Sequence, residues 1–191
     1  MKALGAILGS LLMLAFLATC APVNGAVDTL PEQVQVMMDQ QEGAYVLVQL
    51  SGTLNAETER QLDEAGIVLF DPVGEYQFQA YVPSTAVPAL TALQANHTIV
   101  AVTAIDPADK LKGAFSEPQK VYDVVVQFYA APTEAQTAVL AESMTVTRTA
   151  VGVMNFAEGQ ATGEQVKQLA ELPFVKSIAE AVVSTGGSRQ P

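Results

Sequence analysis

The sequence predicts an α+β protein built from two tandem copies of one small domain. Two strand-like stretches, residues 44–50 and 123–129, share an alternating, β-branched pattern. Both contain a Val-Gln-apolar core, at Val48-Gln49-Leu50 and again 78 positions later at Val126-Gln127-Phe128. Each stretch is followed by a turn and a helix-like segment. Because this period exceeds the roughly 20–50 residues of solenoid repeats, the pattern favours a duplicated domain.

The first copy is predicted over residues 44–106 with the element order β-α-β-β-α-β. Asn55 is a favourable N-cap for the first helix. The sequence Asp71-Pro72-Val73-Gly74 is typical of a turn, and we expect it to join the second and third strands. Pro88 falls in the first turn of the second helix, where its missing N–H is tolerated.

The second copy is predicted over residues 121–184, after a linker at 107–120 and before a flexible tail at 185–191. Two Thr-x-x-Gln capping boxes, which begin at Thr133 and Thr162, mark the starts of its helices. The order β-α-β-β-α-β implies a four-stranded antiparallel sheet with both helices on one face, the ferredoxin-like architecture. The sequence therefore predicts two tandem ferredoxin-like domains.

The sheet face away from the helices is the candidate site for partner contacts, because it needs a cover, a partner or polar side chains. Its side chains mix polar and aromatic character, and the tail adds an extended segment. The predicted partner-binding residues are Tyr45, Leu47, Gln49, Gln77, Gln79, Tyr81, Val125, Gln127 and Tyr129, with Ser184, Thr185, Gly186 and Gly187 near the carboxyl end. The alternative is that the two copies pack sheet to sheet, which would bury the same residues within the chain.

The amino terminus has the pattern of a secretory signal peptide over residues 1–20. A positively charged start precedes an apolar run that is too short for a membrane span. Leu17-Ala18-Thr19-Cys20 resembles a bacterial lipoprotein box, which predicts lipidation of Cys20; the alternative is ordinary cleavage nearby, for instance after Ala21. Residues 21–43 are predicted to be a tether outside the core, with one short helix after Pro31. We expect an exported protein, either membrane-anchored as a lipoprotein or periplasmic or extracellular.

Composition argues against several classes of function. The chain carries 20 acidic and 9 basic residues, for a net charge of −11, and no Lys/Arg cluster, so nucleic acid is not an expected partner. A single cysteine cannot form an intrachain disulfide, and the single histidine, His97, has no catalytic motif around it. No metal-ligand spacing or phosphate-binding loop is present. We expect a protein that is not an enzyme and needs no cofactor or metal.

Three segments carry a resemblance to a known family. They are residues 45–52, which read Tyr-Val-Leu-Val-Gln-Leu-Ser-Gly, then Ile105-Asp106-Pro107-Ala108-Asp109-Lys110-Leu111, and Leu172-Pro173-Phe174-Val175. Together they resemble the amino-terminal propeptides of secreted, fervidolysin-type subtilisin-like proteases. The resemblance implies a folding chaperone and inhibitor that docks its open sheet face on a subtilisin-type serine protease and lays its tail into the substrate cleft. The alternative function is a surface lipoprotein for adhesion or assembly, with no protease partner.

Overall fold

The computed structural model describes residues 30–40 and 42–181, and in this part of the chain the fold is α+β, with two sheets and five α-helices. The predicted leader with Cys20 lies outside the described residues. So do the tail positions from Ser184 to Gly187.

The chain forms its two sheets one after the other. The first sheet and its helices comprise α1 (Glu32–Gln40), β1 (Gly43–Leu50), α2 (Ala56–Glu64), β2 (Val68–Gly74), β3 (Gln77–Pro83), α3 (Val87–Ala95) and β4 (Ile99–Ala104). The second comprises β5 (Leu111–Lys112), β6 (Val121–Phe128), α4 (Glu134–Ser143), β7 (Thr145–Ala150), β8 (Phe156–Thr162), α5 (Gly163–Glu171) and β9 (Val175–Glu180).

The two sheets share one strand order. The first sheet is antiparallel with the order β2-β3-β1-β4, and the second has the order β5-β9-β6-β8-β7. Without β5, which is parallel to β9, the second sheet repeats the first. A register irregularity follows Gln49 in the pairing of β1 with β4 and follows Gln127 in the pairing of β6 with β9. These positions are 78 residues apart, the same separation as in the sequence pattern.

The helices cover one face of each sheet. Val46 and Val48 of β1 are fully buried, as are Val124 and Val126 of β6, because alternate strand residues point toward the helices. Leu62 of α2 and other helix residues complete the first core. The second core is built in the same way from α4 and α5, with Leu140, Val166 and Leu169. The helices do not cover the opposite face of either sheet, so these outer faces can make other contacts.

Part of the predicted tether belongs to the first core. Leu30, Val34 and Met38 are at most 8% exposed and pack in the same cluster as the residues of β1. Val34 and Met38 lie one turn apart on the same side of α1, and Leu30 lies just before the helix. Residues 30–40 therefore differ from the expected tether, since burying three apolar side chains stabilises their docking on the sheet.

The turn predicted at Asp71-Pro72-Val73-Gly74 is wrong, because β2 continues through these residues to Gly74. Glu75 and Tyr76 make the turn instead, and Tyr76 has a φ of 58°. The backbone N–H of Leu50 donates to the Tyr76 carbonyl at 2.9 Å, which ties the turn to β1. Pro72 is tolerated because β2 is a terminal strand and its pairing with β3 is irregular at that point.

The predicted linker is also structured. Pro107–Lys110 forms a 3-10 turn that the Asp106 carboxylate caps by accepting from the Ala108 N–H at 2.8 Å. Leu111–Lys112 then adds β5 to the second sheet, and Phe115 is buried in the second core. A side chain at Gly163 would collide with the backbone at Glu117, so glycine permits this close approach.

Candidate interaction surface

The outer face of the second sheet is built from alternate residues of β6, β8 and β9. Val125 pairs with Glu158 on one side and Ala179 on the other. Two residues along, Gln127 pairs in the same way with Phe156 and Ser177. Their neighbours in each strand point into the core, so these side chains point away from the helices.

These residues line a shallow groove of about 330 Å³. The groove is lined by Val125, Gln127, Met154, Phe156, Glu158, Ser177 and Ala179. Met154 comes from the loop between β7 and β8 and is 62% exposed; Val151 and Val153 of the same loop are also exposed. An apolar groove beside exposed apolar side chains is a feature of protein-binding surfaces.

Polar side chains hold the floor and one side of this groove in place. The Ser177 hydroxyl donates to Gln127 Oε1 at 3.2 Å, which fixes the amide on the floor. On the β7 side, the Arg148 guanidinium lies 3.5 Å from Glu158 Oε1 and 5.5 Å from the centre of the Phe156 ring. The groove therefore combines an apolar floor with an arginine and a carboxylate at its margin.

The outer face of the first sheet is more enclosed. A cavity of about 250 Å³ lies between Leu47, Val73, Gln77 and Gln79 of the sheet and Ile105, Asp109 and Lys112 of the connecting segment. The Gln49 side-chain amide donates to the Glu75 carbonyl at 3.1 Å, so it braces the turn after β2. Gln79 Oε1 is buried without a hydrogen-bond partner among the described residues. The 3-10 turn and β5 thus cover part of the face that the sequence predicted to be open.

Aromatic side chains join the outer faces of the two sheets. Tyr45 of β1 stacks on Tyr129, which follows β6, with ring centroids 4.2 Å apart and an interplanar angle of 10°. Phe70 and Tyr81 complete this aromatic cluster at centroid distances of 5.0 Å from Tyr129 and Tyr45, respectively. Tyr129 is only 8% exposed. It therefore lies within the protein, which differs from its predicted place on an open face.

The aromatic cluster changes the acidity of two tyrosines. Burial, followed by the influence of Tyr45 and Asp71, raises the pKa of the Tyr129 hydroxyl. Burial and the neighbouring Tyr81 also raise the pKa of Tyr45. Among the described residues, the buried Tyr129 hydroxyl has no hydrogen-bond partner. Both phenols therefore stay neutral to a higher pH than an exposed tyrosine does, and the cluster is a mainly apolar contact between the two sheets.

Two lysines make further contacts between the halves. Lys176 of β9 forms an ion pair of 2.7 Å with Asp71 of β2. Lys110 is 5% exposed and donates from Nζ to the Leu172 carbonyl at 2.9 Å. Burial lowers the pKa of the Lys110 ammonium to about 8. Lys110 thereby fastens the connecting segment to the turn between α5 and β9.

The structure separates the predicted surface residues into three groups. Val125 and Gln127 lie in the open groove, whereas Leu47, Gln49, Gln77 and Gln79 lie on the partly covered first face. Tyr45, Tyr81 and Tyr129 lie in the aromatic cluster. The groove residues Met154 and Phe156 were not identified from the sequence, because the Thr-rich pattern did not fix which residues of β8 and of the loop before it point outward. Ser177 of β9 was also not identified. Lys110 was also missed as a buried contact.

Within the described part of the chain, no group of three or more His, Cys, Asp or Glu residues is arranged to hold a metal ion. In the same residues, no helix is both long and apolar enough to cross a membrane. His97 is exposed at the end of α3 with a φ of 60°.

Residues 21–108 match one family model, described as a domain of unknown function (DUF8729). The match covers α1 to β4 and ends within the 3-10 turn, so it includes α1 together with the first sheet. No curated protein and no solved structure matches the chain.

Proposed function

We propose that this chain is a non-catalytic, exported protein that binds a subtilisin-type serine protease and inhibits or chaperones it. In this proposal the chain consists of two tandem ferredoxin-like domains, behind a signal peptide and a lipid anchor at Cys20. The repeated strand order of the two sheets supports the fold, because β4-β1-β3-β2 and β9-β6-β8-β7 are the order of that architecture.

The observation that carries the binding proposal is the groove on the outer face of the second sheet. It is mostly apolar, and Val151 and Val153 of the loop that carries Met154 add exposed apolar area, which a partner surface would remove from water. The first sheet is a weaker candidate, since the connecting segment and the aromatic cluster occupy part of its outer face. We therefore assign protease docking to the second sheet.

The tail is proposed to block the substrate cleft. The last described backbone hydrogen bond runs from the Ala181 N–H to the Asp123 carbonyl at 2.7 Å, so the described chain ends beside β6 of the docking sheet. The sequence predicts a flexible tail, and ordering such a segment would cost roughly 1–2 kcal/mol per residue. Most of the affinity should therefore come from the sheet face, with the segment from Ser184 to Gly187 supplying the blockade.

A titration of the purified protein against several subtilisin-type proteases tests the proposal. Met154→Glu should weaken binding at least tenfold, about 1.4 kcal/mol, because it places a charge in the apolar groove. Val100→Glu is the matched control, since Val100 is an exposed valine on β4 of the other sheet. Truncation after residue 183 should leave binding within about tenfold and abolish competitive inhibition.

The proposal fails if the full protein neither binds nor slows any of these proteases, including one encoded beside it. The second candidate, a surface lipoprotein for adhesion or assembly, is favoured by the exposed apolar loop, which suits a protein contact of any kind. Membrane fractionation of a Cys20→Ala variant tests the anchor that both candidates share. If this variant partitions like the parent, or if the mature chain begins after Cys20, the lipid anchor is refuted.

A further inference from the structure

The strand β7 forms an exposed edge of the second sheet, next to the groove. It is the last strand of the second sheet, and five of its six residues are exposed. A terminal strand has backbone N–H and C=O groups on its outer side that no other described strand pairs, and an extended segment can use them.

Two of the other terminal strands are poor templates for strand addition. β2 contains Pro72 and two register irregularities, and β5 has only two residues. β4 is as long as β7 but carries no charged side chain that could select a partner segment. β7 contains no proline, one irregularity between Val146 and Arg148, and a single charged residue.

Side chains on both faces of β7 define what an added strand would carry. On the helix side, Val146 pairs with buried Gly159 of β8 and is 37% exposed, and Val139 of α4 is 38% exposed. On the opposite side, Arg148 pairs with Glu158, and its side chain is 64% exposed. An incoming strand would therefore meet apolar surface on one face and an arginine on the other.

Arg148 is the one charged side chain on this edge, and its 3.5 Å contact with Glu158 leaves it largely exposed. Residues 143–157 contain Arg148 and no aspartate or glutamate, although the protein carries 20 acidic residues. Arg148 favours a carboxylate on the incoming strand. A second copy fits less well, because a two-fold pairing of β7 with itself brings Arg148 close to its own image and joins two chains of net charge −11.

We propose that β7 is a strand-addition site for an extended segment of a partner protein. The segment has apolar side chains at alternate positions, facing Val139 and Val146, and a carboxylate between them that faces Arg148. The site shares Arg148 with the margin of the groove, but Val146 lies on the helix side of β7, so Val146→Lys tests the edge without changing the groove.

Binding of a capped, fluorescently labelled seven-residue peptide tests the proposal. Valine alternates with threonine in this peptide, and the central residue is glutamate; the control peptide has lysine at that position. We expect the glutamate peptide to bind at least tenfold more tightly by fluorescence anisotropy. Arg148→Glu should reverse the preference, and Val146→Lys should weaken binding at least tenfold. Both variants change exposed side chains, and thermal melts will confirm that they remain folded.

Val100→Lys is the matched control, because it places the same charge on the long edge of the other sheet. Binding within twofold of the parent supports the assignment to β7. Loss of binding in Val100→Lys but not in Val146→Lys would overturn it, as would equal affinity for the two peptides. A parent protein that sediments as a dimer, and becomes monomeric with Val146→Lys, would show that the occupant is a second copy. Protease titration reports separately on the groove.

Discussion

Replacing the buried Lys110 by methionine should remove the part of the pH dependence of stability that this side chain causes. Burial favours the neutral amine in the folded state and lowers its pKa from 10.5 to about 8. Between these values the unfolded chain binds a proton at this position that the folded protein does not, so the free energy of unfolding rises with pH. At about 1.4 kcal/mol per pH unit, the full gain is roughly 3 kcal/mol, of which about 2 kcal/mol is reached by pH 9.5.

Urea unfolding of the parent and of Lys110→Met at several pH values between 7 and 9.5 measures this gain. The scan ends at pH 9.5 because the raised pKa values of Tyr45 and Tyr129 contribute stability that is present below pH 10 and lost above it. Lys112→Met, at an exposed lysine two residues away, should keep the slope of the parent. The same pH dependence in the parent and in Lys110→Met would refute the reasoning.

Three further substitutions test the packing. Val34→Ala should lower the free energy of unfolding by about 2 kcal/mol, because Val34 is fully buried, whereas Val36→Ala at a 45% exposed position should change it by less than about 0.5 kcal/mol; equal effects in urea unfolding would refute the docking of α1. Tyr129→Phe should raise stability by about 1 kcal/mol, since it removes a buried hydroxyl without a described partner, and a clear loss would reveal a partner. Gly159→Ala should lower the thermal midpoint by several degrees, because a Cβ there meets the backbone carbonyl of Thr145; an unchanged midpoint would contradict that contact.

Local patterns in the sequence were sufficient to predict three helix caps, because a cap depends on residues only a few positions apart. Both capping boxes form: the Gln136 N–H donates to the Thr133 hydroxyl, and the Gln165 N–H donates to the Thr162 hydroxyl, each at 3.2 Å. The Asn55 cap also forms, with the N–H groups of Glu57 and Thr58 as donors. In each case the hydrogen-bond donor and acceptor are at most three positions apart, so their spacing in the sequence is enough to predict the cap.

The candidate surface was harder to predict because it depends on contacts between distant segments. Alternation correctly placed Val125 and Gln127 away from the core. It could not show that Tyr129, on the same side of the strand, would be covered by Tyr45 of the other sheet. Docking of α1 was missed for a different reason: the spacing of Val34 and Met38 was present in the sequence, but the surrounding glutamines and prolines were interpreted as a tether.

The parallel pairing of β5 with β9 has a consequence for the order in which the protein can be completed. β5 lies in the segment between the two sheets, yet its neighbour is the last strand of the described chain. During synthesis from the amino terminus, the first sheet has all its strands long before β9 exists. The pairing of β5 with β9 therefore forms last. A chain that stops before Leu172 leaves the Lys110 ammonium without its carbonyl acceptor.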